Sequence, residues 1–326
     1  MNAQSANGLT VVIVNWNGGQ LLIDCLQSVR DSRTTFPVRV LVIDNDSQDG
    51  SRERALAEFP EYTTINSGAN LGYGRANNLA GPLVETPLVL ILNPDTILQP
   101  DTLEICVRCL RDHPDVGALG CKMLYPTGEV QEQGLQWFPT PFNFLLESLL
   151  ASGLTRRLFG GILPTIDPNR STYLRKLYGG FVLAPKEVLD KAGWFDDRYF
   201  MYAEDVDLSQ TVLNLGHKLY YCAETHIIHV AGGTSAKAPS GFSVLMKSES
   251  IHKLMSKYHG AAGAFLYRIV VLVTSLVRLL VSLPALLLAR IAFPDRAGRF
   301  SASAFKSRLL LSWSLGLKRA RPAGSR

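Results

Sequence analysis

The chain has 326 residues, of which 47% are hydrophobic and 19% are charged. This composition supports a sizeable buried core and excludes a disordered chain, a collagen and a disulfide-stapled miniprotein. The net charge of +5 is uneven, because residues 263–326 hold eleven Arg or Lys and a single acid, Asp295. Residues 1–262 are therefore mildly acidic, and the basic tail is the part expected to contact a membrane surface or a nucleic acid.

The first 125 residues alternate short apolar runs with stretches of helical pattern. The runs are rich in Val, Ile and Leu and cover residues 9–16, 38–44, 87–93 and 116–124. Helical patterns follow them at 19–31, 50–59, 72–85 and 101–112. This alternation predicts an α/β domain with a mostly parallel central sheet and helices on both faces.

Polar residues collect where these predicted strands end. They are Asn15 and Asn17, Asp44 and Asp46, and Asn93 and Asp95. In open α/β sheets ligands bind beyond the carboxyl ends of the strands, so we expect these side chains to converge on one crevice.

The second half of the chain is less regular. Residues 126–172 predict long loops with one helix near 143–158. A helix is predicted from about 204 to 215, followed by two short strands at 217–222 and 225–230, a flexible loop at 231–241 and a helical stretch at 243–258.

Several carboxylates are candidates for chemistry, and each also has a structural explanation. Asp95 ends a strand, where it either holds a divalent cation against a diphosphate or caps the next helix. Glu204, Asp205 and Asp207 begin a helix, where the helix dipole favours negative charge. Repulsion among these three carboxylates would also raise the pKa of one of them, and a raised carboxyl pKa is typical of a general base.

Histidine and cysteine give weaker signals. His226 and His229 are three residues apart on a predicted strand, so only one of them faces a given site; His229, beside the predicted loop, is the better candidate. Cys106 and Cys109 form the one C-x2-C pair, and without a second pair we expect packed thiols rather than a zinc site. The polar N-terminus lacks a signal-peptide pattern, which predicts a cytoplasmic protein.

The segment 269–289 is long and apolar enough to cross a bilayer, with Arg278 as its one charge. Arg278 and Pro284 complicate a simple span, so a helix lying in the membrane interface and a buried hairpin of a soluble protein stay open. Aliphatic runs interleave the basic residues of the tail, and aromatics are few, which favours lipid over nucleic acid.

Seven segments, in this order, resemble family-2 glycosyltransferases, and most closely their bacterial rhamnosyltransferase branch. They are IVNWN, VIDNDSQDGS, NSGANLGYGRANN, LILNPD, GGFVLAPKEVL, GWFDDRYFMYAEDVDLS and HVAGGTS. The resemblance covers residues 8–260 and implies the GT-A nucleotide-diphospho-sugar transferase fold. We divide residues 1–262 into a nucleotide-sugar-binding half (8–125) and an acceptor and catalytic half (126–262). The apolar and basic composition of 263–326 predicts a membrane-associating segment.

The resemblance also implies roles for individual residues. Asp44 and Asp46 would contact the base and ribose of the donor, and Asp205 would be the catalytic base. The remaining substrate-binding assignments are Asn15, Asn17, Asn70, Gly72, Asn77, Asn93, Trp194 and Asp207, with Glu204 beside the base. Asp95, the last acid of the family's DXD motif, would hold Mg2+ or Mn2+ together with His229, since Asn93 replaces the first acid.

These assignments imply an inverting transfer from a nucleotide sugar to a lipid-linked or glycan acceptor at the inner face of the cell membrane. The leading donor is dTDP-L-rhamnose. UDP-galactofuranose or a UDP-hexose stays open, and a non-catalytic nucleotide-sugar-binding protein is a further alternative. The intact Asp95 and Asp205 favour an enzyme.

Overall fold

The computed structural model describes residues 7–131, 136–150, 165–230, 241–292 and 294–320. These residues form two compact units, of which the first comprises 7–131, 136–137 and 165–230 and the second comprises 138–150, 241–292 and 294–320. The predicted loop at 231–241 lies almost wholly outside the described residues, as does the second half of the helix predicted near 143–158. The predicted boundary after residue 262 falls inside a helix, and the functional division of the chain stays a prediction.

The first unit is built on one mixed sheet. Its strands are β1 (Leu9–Asn15), β2 (Val38–Asp44), β3 (Thr63–Asn66), β4 (Leu88–Leu92), β5 (Thr96–Leu98), β6 (Val116–Leu124), β7 (Thr172–Leu174), β8 (Phe181–Pro185) and β9 (Lys218–His229). They lie in the order β3-β2-β1-β4-β8-β6-β9-β5, with β7 also paired to β9.

The helices are α1 (Gln20–Arg30), α2 (Ser51–Glu58), α3 (Tyr73–Asn78), α4 (Thr102–Arg111), α5 (Pro141–Leu150), α6 (Lys186–Ala192), α7 (Glu204–Asn214), α8 (Phe242–Ala292) and α9 (Pro294–Ser314). Side chains of α1, α2 and α4 pack in one core cluster on the sheet, and those of α3, α6 and α7 pack in another. The predicted α/β architecture with helices on both sides of the sheet is confirmed.

Strands β3, β2, β1 and β4 are parallel, as the βαβ pattern predicts. The sheet becomes mixed beyond β4, because β8 inserts antiparallel between β4 and β6. Strands β3, β5, β7 and β8 were not predicted from the sequence, because they have only three to five residues each. Strand β8 matters most, because it brings the glycines that precede it, Gly179 and Gly180, to the end of β4.

Strand β9 is continuous where two short strands were predicted. It pairs in parallel with β6, and the register shifts between Cys121 and Lys122, so residues 223–225 of β9 form a bulge. The bulge accounts for the polar interruption in the sequence pattern. Past it, β9 runs on to His229 at the edge where β4 ends.

The second unit consists of α5, α8 and α9. Helix α8 contains one non-helical residue, Gly260, with φ 65° and ψ −169°. Tyr267 and Trp313 are buried at its centre, with ring centroids 5.9 Å apart, and Phe144 of α5 meets Tyr267 edge-on. One 18-residue window of Phe242–Leu286 has a mean hydropathy of 2.3 and is 17% buried, which gives this helix the length and composition of a membrane span.

Candidate active site

The ends of β1 and β2 meet as predicted. Asn15 and Asp44 are register partners and both are fully buried. The Asn15 amide donates to Asp44 Oδ1 at 2.8 Å and to the Ser51 hydroxyl at 2.8 Å, while the Ser47 amide donates to Asp44 Oδ2 at 3.0 Å. The Asn15 and Asp44 side chains therefore hold the loop after β2 in place. The sequence around each residue does not predict this structural role.

Asn17 and Asp46 lie on the outer side of this loop. Both have left-handed backbone conformations, with φ of 53° and 63°. Asn17 Oδ1 accepts the Gln48 amide at 2.8 Å. The Asp46 carboxylate is half-buried, and no side chain or amide of the described residues donates to it. The Asp46 carboxylate therefore has acceptor capacity for a ligand.

The loop before α3 is tied to the loop after β2 by Asn45, a residue absent from the predicted set. Its Oδ1 accepts the Leu71 amide at 2.8 Å, and its Nδ2 donates to Asn70 Oδ1 at 3.0 Å. Gly72 has φ 84°, and a Cβ at this position would lie 2.2 Å from the Phe200 carbonyl oxygen. The structure therefore joins Asn70 and Gly72 to the loop of Asp44 and Asp46. Two further predicted residues also have defined positions. Asn77 is buried in α3, and its Oδ1 has no hydrogen-bond partner among the described residues. Asn93 follows β4, and its backbone amide donates to the Gly180 carbonyl at 3.1 Å.

Asp95 and His229 come together at the neighbouring strand ends. The His229 Nε2 atom lies 3.3 Å from Asp95 Oδ1, and Asp95 is only 5% exposed. The other ring nitrogen, Nδ1, lies 2.9 Å from Gln131 Oε1. Gln131 also donates from Nε2 to the His229 carbonyl at 2.6 Å.

Gln131 determines which ring nitrogen of His229 carries the proton. A carbonyl only accepts, so the Gln131 nitrogen must face it and the Gln131 oxygen must face Nδ1. Nδ1 is then the donor, and in the neutral imidazole Nε2 presents a lone pair toward the Asp95 carboxylate. Two acceptors at this separation suit a shared cation, and carboxylate with imidazole is a donor set that Mn2+ accepts. These residues fit the implied divalent cation.

Asp205 lies at the start of α7, beside the glycines that precede β8. Its Oδ2 accepts the Gly179 amide at 3.0 Å, and its Oδ1 accepts the Val206 amide at 2.8 Å. The next residue, Gly180, has His229 Cε1 3.6 Å from the place a Cβ would occupy. Asp205 and the His229 imidazole therefore lie beside two consecutive glycines of one backbone segment.

Glu204 is a buried acid next to Asp205. It is 7% exposed, and its Oε2 has no hydrogen-bond partner among the described residues. Burial, and then the charge of Asp205, raise the pKa of Glu204 to about 8. The Tyr73 hydroxyl, which donates to the Gly179 carbonyl at 3.0 Å, has its pKa raised by burial and then by the charges of Glu204, Asp205 and Asp95. Glu204, Asp205 and Asp95 are therefore all close enough to Tyr73 to affect the pKa of its hydroxyl.

Two predicted substrate contacts have structural roles in this arrangement. Asp207 is 2% exposed and accepts the Tyr199 hydroxyl at 3.2 Å. The Trp194 indole donates to Asp190 at 3.0 Å, and its ring packs against Gly81 in the core. The geometry supplies no ligand contact for either residue, and their binding roles stay predictions.

Comparisons with known proteins identify relatives of this chain. The family model described as glycosyl transferase family 2 matches residues 10–179. The chain is 29% identical over 254 residues to N-acetylglucosaminyl-diphospho-decaprenol L-rhamnosyltransferase of Mycobacterium tuberculosis, covering 71% of this chain and 79% of the relative. It is 24% identical over 197 residues to rhamnosyltransferase WbbL of Escherichia coli K12, covering 58% of this chain and 72% of that one.

Solved structures share the fold. Mannosyltransferase PcManGT of Pyrobaculum calidifontis, in complex with GDP-Man and Mn2+, aligns with a TM-score of 0.57 and 18% identity over 95% of this chain and 86% of its own. Residues 1–349 of Staphylococcus aureus TarS align with a TM-score of 0.51 and 14% identity over 95% and 92% of the two chains. The family model covers more than half of the chain, and the chain belongs to glycosyl transferase family 2.

Proposed function

We propose that this protein is an inverting, divalent-cation-dependent glycosyltransferase that moves L-rhamnose from dTDP-L-rhamnose to a hydroxyl of a lipid-linked or polysaccharide acceptor in cell-surface glycan biosynthesis. The activities of the Mycobacterium tuberculosis and Escherichia coli relatives support the sugar and the class of pathway. The mannosyltransferase solved with Mn2+ supports the use of a cation.

The observation that carries the proposal is the position of the Gly179–Gly180 pair. Asp205 binds the amide of Gly179, while His229, which pairs with Asp95, lies against Gly180. A single displacement at an anomeric carbon needs a base on one face and stabilisation of the leaving diphosphate on the other. Acids 110 positions apart in the chain are brought to adjacent residues of one backbone segment, as that reaction requires.

Each group then has a distinct role in the mechanism. Asp95 and His229 would hold the cation, which when bound neutralises charge on the departing nucleoside diphosphate. The half-buried Asp205 carboxylate takes the proton of the acceptor hydroxyl as that oxygen attacks the anomeric carbon. The Gly179 and Val206 amides keep the carboxylate oriented. Glu204, with its raised pKa, stays protonated at neutral pH, so Asp205 does not face a second negative charge.

The donor nucleotide fits the loops after β2 and before α3. Asp46 supplies the unsatisfied acceptor for the N–H groups of a base or the hydroxyls of a ribose. Asn45, Asn70 and Gly72 hold the two loops at a fixed separation. These assignments predict that Asp46 substitutions weaken donor binding without changing the chemistry at Asp205.

Membrane association of the second unit belongs to the same proposal. One face of α8 exposes a row of large apolar side chains at helical spacing, comprising Leu266, Ile269, Val273, Leu276, Val277, Leu280 and Leu283. Such a face suits the acyl boundary of a bilayer, where a lipid-linked acceptor resides. We propose that this face of α8 holds the enzyme at the inner surface of the membrane.

The test is turnover with a panel of nucleotide sugars and a polyprenyl-diphosphate N-acetylglucosamine acceptor. Nucleoside diphosphate release should be fastest with dTDP-L-rhamnose, should stop on chelation, and should give a product of opposite anomeric configuration by NMR. Asp205→Asn should abolish release while calorimetry finds donor binding retained. Fastest turnover with a UDP sugar would overturn the donor assignment, and unchanged turnover in Asp205→Asn would overturn the assignment of the base.

A further inference from the structure

Four of the five cysteines meet on the far side of the sheet from α7, in the core under α4. Cys106 and Cys109 are one turn apart on the buried face of α4. Cys121 of β6 and Cys222 of β9 are register partners on adjacent strands. The Cys109 and Cys222 sulfur atoms are 3.0 Å apart, and the Cys106 thiol contacts both Cys121 and Cys222.

A carboxylate completes this cluster because of the bulge in β9. Residues 223–225 have no partner on β6, and bulges of this kind redirect side chains. Glu224 lies in the bulge, and its Oε1 accepts from the Cys109 thiol at 3.3 Å. Its Oε2 accepts Arg108 at 2.7 Å, which orients the carboxylate over the sulfurs.

We propose that Cys109, Cys222 and Glu224 form a binding site for a thiophilic divalent cation of the zinc class, with Cys106 packed beside it. Ligand atoms of Cys109, Cys222 and Glu224 all lie within 4.8 Å of one another. Tetrahedral zinc with bonds of about 2.3 Å to sulfur and about 2.1 Å to oxygen separates its ligands by about 3.5–3.8 Å. The Cys109 sulfur is 3.0 Å from the Cys222 sulfur and 3.3 Å from Glu224 Oε1, which falls short of that spacing by less than about 1 Å.

The contacts within the cluster favour a cation. The Cys109 sulfur lies 3.0 Å from the Cys222 sulfur and 3.3 Å from the Glu224 carboxylate, so its single proton can bond only one of these two acceptors. A bound cation takes the place of the two thiol protons, which are released to solvent as the metal–sulfur bonds form. Arg108 then acts as the outer partner that positions the Glu224 ligand.

The site is separate from the proposed catalytic cation. Asp95 and His229 offer oxygen and nitrogen only, whereas the new site offers two sulfurs and a carboxylate. The inference does not rest on glycosyl transfer. A cation here would fasten α4 to β9, the strand that ends at His229.

The experiment is a Co2+ titration of the full-length, reduced, metal-free protein. A sulfur-to-cobalt charge-transfer band should appear, saturate at one equivalent and disappear when Zn2+ is added. The oxygen and nitrogen ligands of the catalytic site cannot produce this band. Cys25→Ala is the matched control, because Cys25 is equally buried but bonds to Asn93 and Thr96 instead; it should keep the band.

Cys109→Ala and Cys222→Ala should lose the band while circular dichroism finds the fold unchanged. Because these side chains are in the core, Glu224→Gln, at a half-exposed position, gives a second test: Co2+ affinity should fall at least tenfold. Glu187→Gln, also on the surface, should leave the affinity unchanged. Absence of the band in the folded wild-type protein, its persistence in both alanine variants, or a Cys109–Cys222 disulfide in place of metal uptake would each overturn the proposal.

Discussion

Replacing Glu204 by Gln tests the electrostatic arrangement beside Asp205. The substitution keeps the shape of the side chain and removes its ability to ionise. Glu204 is 7% exposed and its Oε2 lacks a partner, so the ionised form is poorly solvated in the folded protein. Its pKa is raised from 4.5 to about 8, with burial as the main cause and the charge of Asp205 as the second.

The sign of the pH effect follows from this shift. Because the folded protein holds the proton more tightly, the contribution of Glu204 to stability is fully present below pH 4.5 and is lost as the pH rises to about 8. At 1.36 kcal/mol for each pH unit, the loss is about 2 kcal/mol at pH 6 and about 5 kcal/mol at pH 9. Glu204→Gln has no such loss, so its stability relative to wild type should rise by about 3 kcal/mol between these pH values.

Urea unfolding at pH 6, 7.5 and 9 measures this difference directly. Glu187→Gln is the control, since the Glu187 side chain is 76% exposed and should change stability by less than about 0.5 kcal/mol at every pH. A stability difference for Glu204→Gln that does not change with pH would refute the reasoning. It would mean that Glu204 is ionised in the folded protein and that Asp205 faces a second negative charge.

Four further predictions address other parts of the molecule. Gln131→Met removes the acceptor that orients His229, so it should weaken Mn2+ binding by about 10–100-fold, as measured by electron paramagnetic resonance. Gln20→Met, at an exposed position of α1, should leave Mn2+ binding unchanged. Gly72→Ala should destabilise the protein by more than about 1 kcal/mol and weaken donor binding. Gly68→Ala is the control: Gly68 also has a positive φ, but a Cβ there meets no atom within 4 Å, so this variant shows the effect of backbone strain without the clash with Phe200. Asp46→Ala should raise the donor dissociation constant by about tenfold, the loss of one or two hydrogen bonds, with turnover at saturation preserved. Leu280→Glu should reduce vesicle binding at least about tenfold, which corresponds to the free energy of burying one leucine side chain. Leu317→Glu is the control, because Leu317 is equally exposed at 75%, and it should have less effect. Equal effects of the two substitutions would place the membrane contact elsewhere.

The elements that the sequence predicts are those whose pattern is local. Strands β1, β2, β4 and β6 are continuous apolar runs, and helices α1 and α2 alternate with the first of these strands along the chain. Asn15 and Asp44 could be placed together because parallel strands end at one edge. Short strands such as β5 and β8 carry too few residues for a period, and their positions depend on partners distant in the chain.

Gln131 shows what sequence reasoning misses and why. It reaches His229 because the chain turns back after β6 at residues 125–129, where Gly128 has φ 85° and the Tyr125 and Glu129 backbones pair. The Pro126-Thr127-Gly128 turn signal was visible in the sequence. What it does not reveal is which residue on the returning segment faces β9, since that register is set by one backbone bond, from the Gln131 amide to Met123.

The same limit explains why the cysteines looked unrelated in the sequence. Cys106 and Cys109 share a helix face, but Cys121 and Cys222 join them only because β6 and β9, about a hundred residues apart, pair in register. The bulge that follows shifts β9 relative to β6 before it continues to His229. Strand β9 therefore links the two candidate cation sites: one irregularity both aims Glu224 at the sulfurs and sets which residue of the strand faces Asp95. Because residues 223–225 have no partner on β6, Lys122 pairs with His226, and the rest of β9 as far as His229 keeps the offset that the bulge introduces.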